Sequence, residues 1–248
     1  MSSTTPSFTS QLPTGMSTLP TRPSSKPVSS VASSPSPAAV PTSTAVQFYF
    51  DPACPWTWIT SRWVVEVAGL RDMQITWQLF SLRFHNKTNP GYDWIRAELD
   101  DQHPAMRVLA ATKQHHGNAA VGKLYTALGA LIHYDDDEHM TRLPEAIAAA
   151  GLPAGIIEEG NKSSWDAIIE ESTERSYDIV GKEVGIPIVV IDGAQTTYFG
   201  PVLSPAPTGD EALKLWDALV ALGSLSGVYE IKRTREGERQ LPPRPLVG

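Results

Sequence analysis

The sequence predicts an α/β fold in which short strands near each end of the folded region bracket a long all-helical block. Three observations predict it. Two β-branched and aromatic runs, 46–50 and 73–82, lie close together with helical spacing between them. A third apolar run, 183–191, follows far down the chain. Between them, 92–177 carries Ala and Leu at intervals of three and four, interrupted only at Gly117, Pro144 and Gly151-Leu152-Pro153.

With 248 residues the chain is long enough for a sizeable core. Its first 45 residues are set apart by composition, holding 13 Ser, 8 Thr and 8 Pro with Arg22 and Lys26 as the only charges. Such a segment cannot bury enough apolar surface to offset its ordering entropy, so 1–45 reads as a disordered tail. None of the 27 acidic residues lies in it, so the remainder is more acidic than the formal −7 of the whole chain. A phosphate backbone would repel that surface, which argues against nucleic acid as a partner. No stretch approaches the roughly 20 apolar residues of a membrane helix, and no basic, apolar leader opens the chain. The expectation is a cytoplasmic protein without membrane attachment.

The folded region opens with Val46-Gln47-Phe48-Tyr49-Phe50, a short buried strand ended by Asp51-Pro52. Pro55 suits a first helical turn, where its missing N–H would be unpaired anyway, and a helix follows through Ala68, with Gly69 read as its end. Cys54 therefore stands where a strand passes into a helix N-terminus. It is the chain's single cysteine, which excludes an internal disulfide. Unpaired N–H groups and the positive end of a helix dipole favour a thiolate, so the position predicts a lowered thiol pKa and a nucleophilic sulfur.

The second strand, 73–82, alternates Ile75, Trp77 and Leu79 with polar residues, so one face is buried. In the third, 183–191, Pro187 cannot donate to a central ladder and belongs at an edge or a strand start. Asp192-Gly193 reads as a hairpin turn into a last strand, 196–199, and Asp210–Leu222 as an amphipathic helix started by Thr208 or Asp210. The basic Lys232-Arg233-Thr234-Arg235 and the Pro-rich end read as solvent-facing, with attraction of an anionic substrate as the alternative. His115-His116 and Asp135–His139 hold metal-ligand residue types without a zinc or calcium spacing, so no metal site is assigned. His85 and Arg83 follow the second strand without a spacing that ties them to the thiol. Trp56 is expected to be partly exposed beside the sulfur, as a substrate platform.

The segment Phe50-Asp51-Pro52-Ala53-Cys54-Pro55-Trp56-Thr57-Trp58-Ile59-Thr60-Ser61-Arg62-Trp63 resembles the active-site segment of the DsbA-like thioredoxin-fold proteins, in particular the mycothiol-dependent nitroreductase and mycoredoxin-like group. In that group it reads close to D-P-x-C-P-W-C-W-I-T-S-R-W. Further likeness runs in order through 124–129, 149–154, 199–204, 214–218 and 225–235, so the resemblance covers about 46–236. It implies a thioredoxin fold, 46–90 and 178–230, with an all-helical subdomain of 91–177 inserted between its halves and a C-terminal tail of 231–248. It also implies that Ile186–Pro187 is a cis bond beside the catalytic sulfur, with the backbone of Ile186 offered to a thiol substrate.

One departure governs the chemistry. Thr57 stands where dithiol members have their resolving cysteine, so intramolecular expulsion of a bound thiol is closed and any thiol chemistry is monothiol. The Thr57 hydroxyl either donates toward the Cys54 sulfur or caps the helix. The expected reaction is a thiol-dependent oxidoreductase or transferase in which Cys54 forms a mixed disulfide with a low-molecular-weight thiol. Catalytic roles fall to Cys54 and Thr57, and substrate contacts to Pro55, Trp56, Ile186 and Pro187. The resemblance implies mycothiol or a similar thiol as co-substrate, with no tightly bound cofactor. Two alternatives stand beside it: a DsbA-related transferase or isomerase that activates a bound thiol cofactor, and a non-enzymatic thiol- or peptide-binding protein with a vestigial site. The partner is a small thiol or disulfide, and the protein a monomer or homodimer.

Overall fold

In the computed structural model, which describes residues 45–137 and 140–246, regular structure starts at strand β1 (Ala45–Phe50) and passes at once into the long helix α1 (Pro55–Arg71). The expected tail, Ala45 apart, lies outside the described residues, as do Glu138 and His139 of the acidic run. Strand β2 (Gln74–Leu79) returns parallel to β1, pairing Phe48 with Trp77. Strand β3 (Ile188–Ile191) pairs antiparallel on the other side, Val46 opposite Ile191, giving the order β2-β1-β3. The helices α2 (Leu82–His85), α3 (Arg96–His116), α4 (Asn118–Tyr134), α5 (Leu143–Ala149) and α6 (Asp166–Val180) all fall between β2 and β3, and α7 (Gly209–Gly223) closes the regular structure. This is a thioredoxin fold with an inserted all-helical block.

The strand period of two separates the sheet into unequal faces. Val46, Phe48, Phe50, Trp77, Leu79, Val189 and Ile191 point into the main core with Trp58, Trp63, Val64 and Val67 of α1 and Leu124, Tyr125 and Leu128 of α4. There Trp77 meets Phe48, Phe50 and Tyr125 edge-on at 5.4–5.7 Å. Helix α7 lies against α1, where Trp63 packs on Trp216 at 5.9 Å and donates its indole N–H to the Ala212 carbonyl. The opposite face carries a smaller cluster of Tyr49, Phe80, Ile186, Ile188 and Cys54. The sulfur thus belongs to the minor face of the sheet.

Two expectations are corrected. Helix α1 does not end at Gly69 but runs to Arg71, with Asp72 taking the left-handed conformation, φ 51°, and donating its N–H to the Ala68 carbonyl. No strand forms at 196–199; the N–H groups of Gln195 and Thr196 bond instead to the Gly223 carbonyl at the end of α7, and Tyr198 Oη donates to the Leu222 carbonyl. In place of a strand this stretch ends in an isolated bridge between Ile188 and Gly200. Helix α7 captured the backbone donors a ladder would have needed.

Candidate active site

Cys54 is the N-cap of α1, with extended backbone at φ −81°, ψ 109°, and Pro55 in the first turn. Its own N–H bonds back to the Asp51 carbonyl at 3.1 Å, and its carbonyl accepts the first helical bond, from Trp58, at 2.9 Å. Proline leaves the next two free donors, the N–H groups of Trp56 and Thr57, at the helix mouth, and both act on the sulfur in favour of its ionised form. The amides expected to stabilise a thiolate are therefore in place.

They do not prevail. Cys54 is only 8 % exposed, and desolvation is the largest influence on its thiol, followed in the opposite direction by the Thr57 hydroxyl and the amides, with the Asp51 carboxylate adding to desolvation. The net effect pushes the thiol above its ordinary range, correcting the expectation of a lowered pKa. Burial wins because the sulfur sits among Tyr49, Phe80, Ile186 and Ile188 rather than at an open rim.

Thr57 lies in the first turn of the same helix. The side chain is fully buried. Its Oγ1 has no hydrogen-bond partner among the described residues, and its presence near the sulfur favours the ionised Cys54. Across from the sulfur, Ile186 belongs to the same cluster, and Ile186–Pro187 is cis, as the resemblance implies. The Pro187 carbonyl accepts from Gly200 N–H at 2.8 Å. Trp56 packs, half-buried, on the edge of this cluster. Cys54, Trp56, Thr57 and Ile186 are thus brought together, with Pro55 and Pro187 adjoining them in the chain.

Three neighbours complete the site: Asp51, which the motif contains without a role assigned to it, His133, which the sequence does not single out, and His85, which the sequence leaves as a residue that could lie near the thiol. Asp51, almost fully buried, accepts from Ala53 N–H at 3.0 Å and Leu82 N–H at 2.9 Å, which braces the loop ahead of the cysteine. Burial outweighs those bonds and raises its carboxyl to about 6. His133, at the end of α4, meets the Pro52 carbonyl through Nε2 at 3.0 Å and lies 5.6 Å from the Trp58 ring; burial lowers it to about 4, so it is neutral at pH 7. His85 stands by Phe80 and Tyr177, its Nδ1 3.1 Å from Tyr177 Oη and its Nε2 facing Gly185 just ahead of the cis bond. Arg83 instead pairs with Asp100.

The floor under the motif is equally specified. Trp58 is fully buried between Tyr125, Tyr134 and the Arg62 guanidinium, which lies 4.2 Å over its ring. Gly129 of α4 approaches so closely that a Cβ there would fall 2.1 Å from Trp58 Cζ3. Among the described residues no group of three or more His, Cys, Asp or Glu is arranged to hold a metal ion, and no helix is long and apolar enough to cross a membrane.

Arg235 was expected to face solvent with the other basic residues near the C-terminus. It lies 4.8 Å over the Trp56 ring, with Arg239 at 6.0 Å, so this part of the C-terminal segment belongs to the site.

Comparisons with known proteins agree with the reading of the motif. The family described as Rv2466c-like, mycothiol-dependent nitroreductase Rv2466c, matches residues 53–233. An uncharacterized protein of Mycobacterium tuberculosis, Rv2286c, is 28 % identical over 208 residues, covering 77 % of this chain and 83 % of that protein. Among solved structures, Pseudomonas aeruginosa DsbA is similar with a TM-score of 0.43 and 17 % identity over 77 % of this chain and 88 % of its own. DsbL of Salmonella enterica serovar Typhimurium gives a TM-score of 0.40 and 17 % identity over 77 % and 94 %.

Proposed function

From the premise that the chain belongs to the Rv2466c-like mycothiol-dependent nitroreductase family, we propose that it is a monothiol oxidoreductase whose only sulfur nucleophile is Cys54. The thiolate attacks one sulfur of an oxidised low-molecular-weight thiol, mycothiol disulfide or a similar molecule. One S–S bond breaks, a new one forms to Cys54, and the second half of the substrate leaves as its thiolate. A second thiol from solution then attacks the mixed disulfide, takes the bound half away as a new disulfide and returns Cys54 to its reduced form. Thr57 cannot perform that step, so the external thiol is obligatory.

The observation that carries this reading is the juxtaposition at Cys54: the chain's single cysteine at a helix N-cap, two helix-opening amides and a hydroxyl acting on its sulfur, and Ile186 opposite, ahead of cis Pro187. In this reading Thr57 stabilises the thiolate, Trp56 and Pro55 receive the apolar part of the substrate, and the backbone of Ile186 and Pro187 receives its amide-like part. The thioredoxin-fold segments 46–90 and 178–230 supply the thiol and its proline, and the insertion of 91–177 walls the site. Intact-mass measurement after incubation with oxidised mycothiol tests it. One mixed-disulfide adduct is expected on the wild type, removable by a second thiol, and none on Cys54→Ser; an unmodified wild type overturns the reading.

A second reading is favoured by one observation, the buried Thr57 hydroxyl without a nitrogen or oxygen partner. Such a group is positioned to hold the sulfur of an incoming thiol cofactor, as in thiol transferases or isomerases. Turnover that survives Cys54→Ser and is lost in Thr57→Val would favour this alternative.

A further inference from the structure

After α7 the chain forms no further helix or strand among the described residues, and nearly every side chain from Leu225 onward is exposed. A segment of that kind is ordinarily loose, yet this one is pinned along its length. Arg235 and Arg239 lie over the Trp56 ring, as described above. Gln240 donates its N–H to Ser204 Oγ at 2.8 Å, and the Pro242 carbonyl accepts from Tyr134 Oη at 2.7 Å. Arg244 forks onto Asp135, 2.6 and 2.9 Å to its two carboxylate oxygens. The path therefore begins at α7, passes across the indole next to the thiol, and ends on the last turn of α4 and the residue after it.

Three features give this path a meaning. Arg235 and Arg239 have no carboxylate partner among the described residues, so the indole is the partner observed for their guanidinium groups. Arg239 also acts on His133, whose ring touches the Pro52 carbonyl in the loop ahead of Cys54, so the segment follows the rim of the site from Trp56 to His133. Finally, the family match ends at residue 233, and all of these contacts are made by residues beyond it.

We propose that residues 234–246 form a strap over the mouth of the Cys54 site that admits small thiols and disulfides and excludes thiols carried on folded proteins. The Trp56 face, which a protein substrate would need to lie against, is already occupied by the chain's own arginines. A compact molecule does not need that face to be free. The inference deepens the proposed function and depends on it for its consequence, while its test reads access to the thiol alone.

Because Cys54 is the chain's single cysteine, maleimides label it without background. The second-order rate is measured for N-ethylmaleimide and for a maleimide carried on a long polyethylene glycol chain, in the wild type, in Arg235→Ser/Arg239→Ser and in Arg244→Ser. The small reagent reports the reactivity of the thiol itself in each protein, so the bulky-to-small ratio isolates access. Loss of two surface cation–π contacts should raise the bulky-to-small rate ratio about tenfold, with a smaller rise for Arg244→Ser. A ratio unchanged in both variants overturns the strap, and so does an equal rise in both rates, which is the signature of general loosening. A wild type that forms no mixed disulfide yet shows the expected ratios overturns the proposed reaction and leaves the strap standing.

Discussion

Asp51 offers the sharpest quantitative test of the site, because its environment makes it an unusual carboxyl. It is buried to 3 % exposure with two backbone N–H donors and, among the described residues, no cation paired with it, and burial raises its carboxyl from the ordinary 3.8 to about 6. A carboxyl whose folded pKa is raised binds its proton more tightly folded than unfolded. Its contribution is therefore fully present below the unfolded value and is lost as pH rises through the folded one. At about 1.4 kcal/mol per pH unit, the span from 3.8 to about 6 removes about 3 kcal/mol of stability by neutral pH. Asp51→Asn keeps the shape, cannot ionise, and offers its amide oxygen to one of the two N–H groups while the other faces the NH2 donor, a penalty of about 1–2 kcal/mol that does not vary with pH. The stability of the variant minus that of the wild type, from urea unfolding read by tryptophan fluorescence, should thus climb by about 2.4 kcal/mol between pH 4 and pH 7 and then level off. Subtraction cancels every other titrating group. A flat difference curve, or one that falls toward neutral pH as for a carboxyl held below 3.8, would refute the reasoning.

His133 carries the opposite sign: lowered from 6.5 to about 4, it contributes stability above 6.5 that is lost as pH falls toward 4, about 3 kcal/mol in all, and His133→Gln should flatten that acid limb in the same unfolding series. Thr57→Val removes the hydroxyl that favours the Cys54 thiolate; a loss of about 1 kcal/mol cuts the thiolate fraction about fivefold, and with the partly compensating gain in nucleophilicity alkylation at pH 8 should slow about twofold, without loss of stability; an unchanged rate would show that the hydroxyl does not act on the sulfur. Gly129→Ala forces a Cβ into the Trp58 ring and should cost about 3 kcal/mol in urea unfolding. Gly69→Ala is its counterpart in the same assay: a Cβ there meets nothing within 4 Å, inside a helix that continues to Arg71, so the variant should gain about 0.5–1 kcal/mol.

Much of this architecture was legible because local patterns and tertiary demands agree. The alternation of β2, the helical spacing after Pro55 and the apolar run at Ile188 each fit the layer they occupy. Legibility failed where a distant group took over a local one. The turn at Asp192-Gly193 looked like the start of a hairpin, but the donors that would have built its second strand bond to the end of α7. Gly69 looked like a helix stop, yet the left-handed position fell to Asp72, three residues later. Arg235 and Arg239 looked like a solvated tail because nothing in a short basic run announces an indole far back in the chain. The importance of Asp51, His133 and His85 likewise depends on the packing of Leu82, Pro52 and Tyr177 around them.

The raised thiol has a consequence for the direction of the chemistry. A strongly oxidising thioredoxin-fold site is one whose reduced form is stabilised, by a low thiol pKa that makes the sulfur a good leaving group. At Cys54 the same helix-opening amides are present, but burial among Tyr49, Phe80, Ile186 and Ile188 works against the free thiolate. Each pH unit by which a thiol pKa rises cuts the thiolate fraction tenfold and returns about threefold in intrinsic nucleophilicity, so attack slows by only about threefold. Expulsion of the same sulfur from a mixed disulfide is disfavoured as well, because a more basic thiolate is a poorer leaving group. With no resolving cysteine at position 57, both effects favour a long-lived adduct over rapid oxidation of a partner. In the proposed reaction, the adduct would therefore persist until a second thiol arrives, and a slow release of the bound thiol is what distinguishes it from a site that passes a disulfide on.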